Sequence, residues 1–396
     1  MNGDKPIEYE FVAPRRIVFG WGSRRRVGEL ARGLGNRAFI LCGSRTLRDQ
    51  GVIEEITTAV QQAGAETVLA GTLSREPYVE DVDRVVQQIR SAGVTTGDFL
   101  LAVGGGAAID LAKAVAAMAT NDESPTVKDY LEGVGRNLEL VSDPLPVLAM
   151  PTTAGTGSEA TKNAVVSSRD PPLKRSIRDP RLVPRIALVD PELTVSVPPR
   201  MTAASGMDAI TQLVESYLSR KAKPIPRALA VQGLKLAVPS LAEAVNDGTA
   251  REAREKMAHA ALLSGMALTN SGLGLAHGVA PALGIHLDVP HGVACALLLP
   301  VALEVNRSVC QDELAQLCEA LFGRGIARTP EEAAAVFIGE IERLCDRVGV
   351  PRRLSQVGVT AGHIPDLVRS ASASSMSGNP RPLSEDQLAE ILERWV

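Results

Sequence analysis

The stretch that decides the fold is Asp98-Phe-Leu-Leu-Ala-Val-Gly-Gly-Gly-Ala-Ala-Ile-Asp110. It joins a short apolar run, three consecutive glycines and the start of an Ala-rich segment of helical length at 107–119. Glycines let backbone N–H groups approach a pyrophosphate closely, and a helix N-terminus adds free donors and partial positive charge. The stretch predicts a strand, a phosphate-binding loop and a helix, although a tight turn that needs positive φ angles would also explain the glycines.

The residues on either side of this stretch alternate between strand-like and helix-like patterns. Short apolar runs and segments of helical period take turns through the first half of the chain, the runs at 38–42, 68–70, 99–103, 146–150 and 186–189, the segments at 53–63 and 79–92. Such alternation predicts a doubly wound α/β sheet. The three adjacent glycines differ from the Gly-x-Gly-x-x-Gly spacing of the common dinucleotide fold, so that fold's residue roles cannot be transferred.

The second half has a different texture, from about residue 191 onwards. Ala-rich and Leu-rich segments of helical length follow one another, at 203–219, 225–245, 251–269, 333–348 and 385–395. A chain of 396 residues is long enough for two hydrophobic cores. We therefore predict an α/β dinucleotide-binding domain at 1–190 and an all-α metal- and substrate-binding domain at 191–396.

Bulk composition excludes several classes of protein. The net charge of -4 and the pI of about 5.9 leave no basic patch for nucleic acid. Five cysteines without a Cys-x-x-Cys pair argue against a disulfide framework and against a thiolate zinc site. There is no apolar N-terminal signal and no run of about eighteen apolar residues, so we expect a cytoplasmic protein that does not enter a membrane.

A second loop of small hydroxyl residues follows the apolar run at 146–150. It reads Pro151-Thr-Thr-Ala-Gly-Thr-Gly-Ser-Glu159 and offers hydroxyl and amide donors to a ribose or a phosphate. A Ser/Thr-rich loop that caps the next element is the alternative interpretation.

Two of the five histidines lie in small-residue surroundings, His277 before Gly278 and His291 before Gly292. Each alone is more often a structural histidine. Asp208 is the acidic partner that a metal site would need, since a carboxylate within an apolar helix is costly unless it pairs or coordinates. Gln212 lies four residues later, on the same helix face.

In this order, the motifs resemble the iron-containing, or group III, metal-dependent alcohol dehydrogenases over residues 11 to 395. The resemblance implies an α/β nucleotide-binding domain and a helical domain, as in dehydroquinate-synthase-like folds, with cofactor, metal and substrate in the cleft between them. It implies that the two loops, and a lysine five residues before an Asp-Pro, bind the cofactor: Gly104, Gly105, Gly106, Ala107, Asp110, Thr152, Thr153, Thr156 and Lys174.

The resemblance also implies that Asp208, His277 and His291 bind a divalent metal, Fe²⁺ or Zn²⁺, and are the catalytic residues. Gln212 stands where the family often has a fourth, histidine ligand, so its amide oxygen is a candidate ligand that binds less strongly. Pro281 stands where many members have a second histidine, which removes an obvious proton relay. We therefore expect weaker or exchangeable metal binding.

The choice between NADP and NAD depends on the residues after the run at 38–42. They are Gly43, Ser44 and Arg45, and Ser44 is a further candidate for cofactor binding. A carboxylate there would hold the ribose of NAD, but none is present, and Arg45 can pair with a 2′-phosphate. The sequence favours NADP and leaves NAD open.

The predicted activity is hydride transfer between the nicotinamide and a small alcohol or aldehyde, in a homo-oligomer such as a dimer. Three alternatives remain: a metal-free reductase like maleylacetate reductase, a sugar-phosphate cyclase that uses NAD and a metal, and a protein that only binds dinucleotide. The cyclase reaction requires a basic cluster for a phosphate substrate, and the sequence shows none around residues 277–291.

Overall fold

The computed structural model describes residues 8–396, which form a parallel sheet followed by a helical half. The eight strands are β1 Arg16–Phe19, β2 Arg37–Cys42, β3 Glu66–Thr72, β4 Asp98–Gly104, β5 Val147–Pro151, β6 Asn163–Arg169, β7 Pro172–Arg178 and β8 Ile186–Val189. Six of them form one parallel sheet in the order β1-β8-β5-β4-β2-β3, while β6 and β7 form a separate antiparallel hairpin.

Fifteen α-helices complete the described chain. Five accompany the sheet: α1 Val27–Ala31, α2 Arg45–Asp49, α3 Val52–Gln62, α4 Val79–Ser91 and α5 Gly106–Thr120. Ten follow it: α6 Pro199–Leu218, α7 Pro224–Asn246, α8 Arg251–Ser271, α9 Leu275–Leu287, α10 His291–Asn306, α11 Gln311–Phe322, α12 Pro330–Arg347, α13 Ile364–Ser370, α14 Ala373–Met376 and α15 Glu385–Trp395. The predicted α/β first half and all-helical second half are confirmed.

Strand β4 lies at the centre of the sheet, between β5 and β2, and every one of its residues is buried. Helices cover both faces of a parallel sheet, which is why β4 reads as an uninterrupted apolar run. Helix α5 leaves β4 directly and is buried from Ala108 to Ala119. The loop between them is therefore held by the best-packed part of this half.

Several strands and helices were not predicted from the sequence, for physical reasons. Strand β1 has only four residues, and the β6–β7 hairpin is rich in polar residues and has one buried face, so neither forms an apolar run. Helices α9 and α10 contain Pro281 and Pro300, which normally interrupt a helix.

Helix α7 and the segment His291–Val309 are long and apolar enough to meet a simple criterion for membrane spans. Both pack inside the helical half, α7 against α6 and α8, and α10 against α6 and α9. Their composition suits the core of that half.

A buried lysine on α5 fastens the loop that follows β5. The Nζ atom of Lys113 lies 2.8 Å from Thr161 Oγ1, 3.0 Å from the Ser158 carbonyl oxygen and 3.0 Å from Asp110 Oδ1. Burial lowers the pKa of Lys113, so these partners offset the cost of keeping its charge inside the protein.

We expect Lys113→Met to lower the free energy of unfolding by about 3–5 kcal/mol, because it leaves the Asp110 carboxylate without its buried cation. Denaturant unfolding measures the loss. Lys256→Met is the matched control, since it removes only an exposed i,i+4 ion pair with Glu252 and is expected to cost under about 1 kcal/mol. Equal effects of the two substitutions would contradict a role for Lys113 in holding the loop.

The stability of the same region is expected to depend on pH through Glu159, whose pKa burial raises from 4.5 to about 7. The folded chain thus holds this proton more tightly than the unfolded chain, so Glu159 lowers stability progressively as the pH rises from 4.5 to about 7. Glu159→Gln removes the effect. Its stability relative to the wild type should rise by up to roughly 3 kcal/mol between about pH 5 and pH 8 in denaturant titrations. A pH-independent difference would refute this assignment.

Candidate active site

The three glycines serve close packing and not a left-handed turn. Gly105 is the N-cap of α5 with φ -71°, and none of the three has a positive φ, so the tight-turn interpretation is wrong. A Cβ atom on Gly104 would lie 2.7 Å from Gly43 Cα, and one on Gly106 would lie 2.5 Å from Thr156 Oγ1. Any side chain here would push β2 or the threonine loop away.

The glycine loop and the threonine loop meet at the C-terminal edge of the sheet. Thr153 Oγ1 lies 3.2 Å from the position of a Cβ on Gly105, and the Thr152 backbone N–H donates to the Gly104 carbonyl oxygen at 3.0 Å. The fold thus brings the two predicted cofactor loops together. Ser44 is the N-cap of α2 and lies outside the cleft described next.

A cleft of about 600 Å³ runs from the N-terminus of α5 to the helical half. One wall carries predicted cofactor residues, namely Gly106, Ala107, Asp110, Thr156 and Lys174, and the other carries Gln212, His277, Pro281 and His291. Asp110 is bound within its own wall, where its Oδ2 accepts from the Val165 backbone N–H at 3.2 Å. The cleft therefore joins a helix N-terminus suited to phosphate with the predicted metal residues.

The predicted metal residues converge at the end of this cleft. His277 Nε2 lies 3.2 Å from Asp208 Oδ1, and His291 Nε2 lies 3.9 Å from the same oxygen. Cys295 Sγ lies 3.6 Å from His291 Nε2, and one ligand atom from each of the four residues lies within 4.8 Å of the others. Asp208, His277 and Cys295 are buried, and His291 is partly buried.

Three helices place these side chains. Asp208 lies in the middle of α6, His277 in the first turn of α9, and His291 is the first residue of α10. The N-terminus of α9 is anchored by Glu215, whose carboxylate accepts from the backbone N–H of Ala276 at 2.7 Å.

Glu215 also orients the predicted ligand. Its Oε2 lies 2.7 Å from His277 Nδ1, which leaves His277 Nε2 directed at Asp208. A carboxylate behind an imidazole is the usual arrangement around a metal-binding histidine. Glu215 was not predicted from the sequence, although it lies two helical turns after Asp208 and so on the same face of α6.

Burial and the neighbouring carboxylates shift the pKa values of the cluster in opposite directions. Burial disfavours a charged His277, but Cys295 and the carboxylates Asp208 and Glu215 outweigh it and raise the pKa of His277 well above its usual value. Burial lowers the pKa of His291 to about 4, so its imidazole is neutral and has a lone pair for a cation. Burial raises the pKa of the Cys295 thiol to about 12.

Cys295 and Gln212 are placed differently from what the sequence predicts. The absence of Cys-x-x-Cys pairs argued against thiolate ligands, yet Cys295, one helical turn after His291, lies in the cluster. The Oε1 atom of Gln212 accepts a hydrogen bond from Ser264 Oγ at 2.7 Å, so this amide oxygen already has a partner. Only the helical spacing of His291 and Cys295 pointed to the thiol.

The cleft is also more basic than expected. No basic cluster was expected around residues 277–291 of the helical half, but the β6–β7 hairpin, which belongs to the first half, brings cationic side chains to the opposite wall. The lysines and arginines that line the cleft are Lys162, Lys174, Arg175, Arg178 and Lys221. Lys174 Nζ pairs with Glu76 Oε1 at 2.6 Å.

Comparison with known proteins agrees with this arrangement. The family model for the iron-containing alcohol dehydrogenase matches residues 14–191, and that for the Fe-containing alcohol dehydrogenase family, C-terminal, matches residues 202–396. Long-chain-alcohol dehydrogenase 1 of Geobacillus thermodenitrificans is 34% identical over 387 residues, which is 96% of each chain.

Two solved structures extend the likeness. A 1,3-propanediol oxidoreductase superposes with a TM-score of 0.90 at 31% identity, over 98% of this chain and all of the other. The sulfoacetaldehyde reductase of Bifidobacterium kashiwanohense, solved in complex with NAD⁺, superposes with a TM-score of 0.86 at 30% identity, over 98% and 99% of the chains. The glycine loop, the threonine loop, the buried aspartate and the two cleft histidines thus occur in a chain that belongs to the iron-containing alcohol dehydrogenase family.

Proposed function

We propose that this protein is a metal-dependent, nicotinamide-dependent alcohol dehydrogenase that interconverts a small alcohol and its aldehyde. The observation that carries the proposal is the shared cleft. The N-terminus of α5 opens into one side of it, and Asp208, His277 and His291 converge on the other. A dinucleotide bound by its pyrophosphate at α5 has room to extend its nicotinamide towards the histidines.

The residues present fit a divalent metal. Tetrahedral coordination with bonds of about 2.0–2.3 Å separates neighbouring ligand atoms by about 3.3–3.8 Å. The separations here are 3.2 Å for His277 Nε2 to Asp208 Oδ1, 3.6 Å for Cys295 Sγ to His291 Nε2, and 3.9 Å for His291 Nε2 to Asp208 Oδ1. Mixed imidazole, carboxylate and thiolate donors suit Zn²⁺ or Fe²⁺.

A divalent ion held by Asp208, His277 and His291 would supply Lewis-acid polarisation of the substrate's oxygen. The protein's own side chains orient the ligands and supply negative charge. Glu215 holds His277 in one tautomer and one orientation, and the buried Asp208 supplies the negative charge that keeps the cation in place. Pro281 lines the cleft without a titratable group, so the substrate proton has no histidine there to receive it.

We propose that the cofactor lies along the loops that meet at the sheet edge, with contacts from Gly104 to Ala107, the threonine loop and Lys174. The NAD⁺ complex of the sulfoacetaldehyde reductase supports a nicotinamide dinucleotide. The preference of this protein for NADP over NAD stays a prediction. It depends on Arg45, which is exposed in the first turn of α2. Turnover with each cofactor in parallel decides between them.

We further propose that Cys295, and not Gln212, is the fourth metal ligand. Its sulfur lies within the ligand cluster, whereas the Gln212 amide oxygen is engaged by Ser264. Cys295 thereby restores the ligand count that the family's usual histidine would provide.

Domain bounds of 1–190 and 191–396, a homo-oligomeric state such as a dimer, and a cytoplasmic location stay predictions. Cationic side chains line the cleft, so a missing basic cluster does not exclude a sugar-phosphate cyclase. The family does disfavour a cyclase, because the relatives found are dehydrogenases and reductases.

Metal dependence tests the proposed function. We expect the protein, after chelation, to lose the ability to oxidise NADH or NADPH with a panel of small aldehydes, and to recover it with Zn²⁺ or Fe²⁺. Asp208→Asn should reduce kcat/KM by about 100-fold or more, because it removes the ligand charge. Asp312→Asn, on the exposed start of α11, is the control. Undiminished turnover of chelated Asp208→Asn would favour the metal-free reductase, and metal binding with no turnover of any aldehyde would favour a binding protein.

The cysteine ligand has a spectroscopic test that does not depend on activity. A Co²⁺-loaded sample should show thiolate-to-cobalt charge-transfer absorption in the near ultraviolet, and Cys295→Ser should abolish it. Cys345→Ser, at another buried thiol outside the cluster, should leave it unchanged. The affinity for the metal should fall by about 10–100-fold in Cys295→Ser and little in Gln212→Ala. Absorption that persists in Cys295→Ser would exclude this ligand.

A further inference from the structure

We propose that the substrate of this enzyme carries an anionic group, which Lys221 and the hydroxyl groups of Ser372, Ser374 and Ser375 bind beside α9. The inference rests on the dehydrogenase function proposed above and names the class of aldehyde or alcohol that the cleft accepts. The group is a carboxylate, a sulfonate or a phosphate, which share negative oxygens as acceptors.

The cleft contains positive charge that is not paired with a carboxylate. Among the described residues 8–396, five basic and four acidic side chains line it. Three of the acids are in ion pairs, Glu76 with Lys174 at 2.6 Å, Glu132 with Arg178 at 2.8 Å and Asp110 with Lys113 at 3.0 Å. Over residues 8–396, three of the lining cations make no ion pair with a carboxylate, namely Lys162, Arg175 and Lys221. Of the acidic side chains in the described part of the cleft lining, only Glu10 remains to balance them.

Lys221 lies close to the start of α9. It follows the C-terminus of α6, and its Cδ lies 3.5 Å from the place of a Cβ on Gly272, just before α9. Its Nζ donates to Ser377 Oγ at 2.6 Å, which leaves two of its three protons for another acceptor. A neutral hydroxyl positions the ammonium group without neutralising it.

The serine-rich segment 370–377 has no other role in the proposed reaction. Ser372, Ser374 and Ser375 all line the cleft. The Ser372 backbone N–H donates to the Gly278 carbonyl oxygen at 2.7 Å, and Gly278 follows His277 directly. The hydroxyl donors are therefore anchored next to a proposed metal ligand, close to where the aldehyde would react.

The cofactor's own phosphates are the competing anion. The proposed function places them at the N-terminus of α5, in the N-terminal half, whereas α14 with Ser374 and Ser375 packs on α9 and Lys221 lies beside Gly272, just before α9. A substrate with an anionic tail would complete the charge balance in this second region, and its aldehyde would point towards His277 and His291.

The test compares aldehydes of equal chain length, with metal-loaded full-length enzyme at low salt. We expect kcat/KM to be at least about ten-fold higher for 4-oxobutanoate than for butanal, the worth of one charge-assisted hydrogen bond. The preference should fall as ionic strength rises. Sulfoacetaldehyde and glycolaldehyde phosphate, assayed alongside, identify which anion is preferred.

Substitutions of Lys221 test whether this residue causes the preference for the anionic aldehyde. Lys221→Met should reduce the ratio of the two kcat/KM values about ten-fold through KM for the anionic aldehyde, and Lys221→Arg should retain most of it. Lys223→Met, an exposed lysine outside the cleft, is the control, and thermal unfolding checks that each variant is folded.

Three results would overturn the inference. The first is a kcat/KM for butanal that equals or exceeds the kcat/KM for 4-oxobutanoate in the wild type. The second is an unchanged ratio of these two kcat/KM values in Lys221→Met. The third is an unchanged ratio together with a higher dissociation constant for NADH or NADPH in Lys221→Met, which would assign Lys221 to cofactor binding. If the wild type reduces no aldehyde, charged or neutral, the dehydrogenase function itself fails. Failure of the function and failure of the inference are thereby told apart.

Discussion

The buried carboxylate of Asp208 is the constraint on which the helical half depends. At 1% exposure in the middle of α6, an uncompensated charge would cost several kcal/mol. Two imidazoles and a thiol surround it, and a cation among them would satisfy all four groups. Helices α9 and α10 both begin with their first turns facing α6, so the groups that offset this charge come from the ends of two other helices.

The protein uses buried charge in the same way at two further places. Glu215 accepts backbone N–H groups at the start of α9 and holds His277 from behind. Lys113 binds the backbone and side chains of the threonine loop to α5. In both cases a charged side chain that is inaccessible to water joins a loop or a helix end to a core helix. The two walls of the cleft are thus each positioned by an internal ionic contact.

Sequence patterns predicted correctly those features whose evidence lies within one segment of the chain. The run into Gly104–Gly106, the helical texture after residue 191 and the small-residue surroundings of His277 and His291 were all readable, because burial of a strand or a helix acts on neighbours in sequence. These patterns failed for α9 and α10, which contain the internal prolines Pro281 and Pro300.

By itself, the sequence determined the class of fold and the family resemblance, and it led to the prediction that the glycine loop, the threonine loop, Asp208, His277 and His291 form the site. Only the tertiary structure decided that Cys295 lies in the cluster, that Glu215 contacts His277, and that the β6–β7 hairpin brings cationic side chains to the cleft. The physical reason is distance along the chain: His277 lies 62 residues from Glu215. Helical spacing shows which residues share a face of one helix, such as Asp208 and Glu215, but the way in which two helices pack against each other leaves no local period in the sequence.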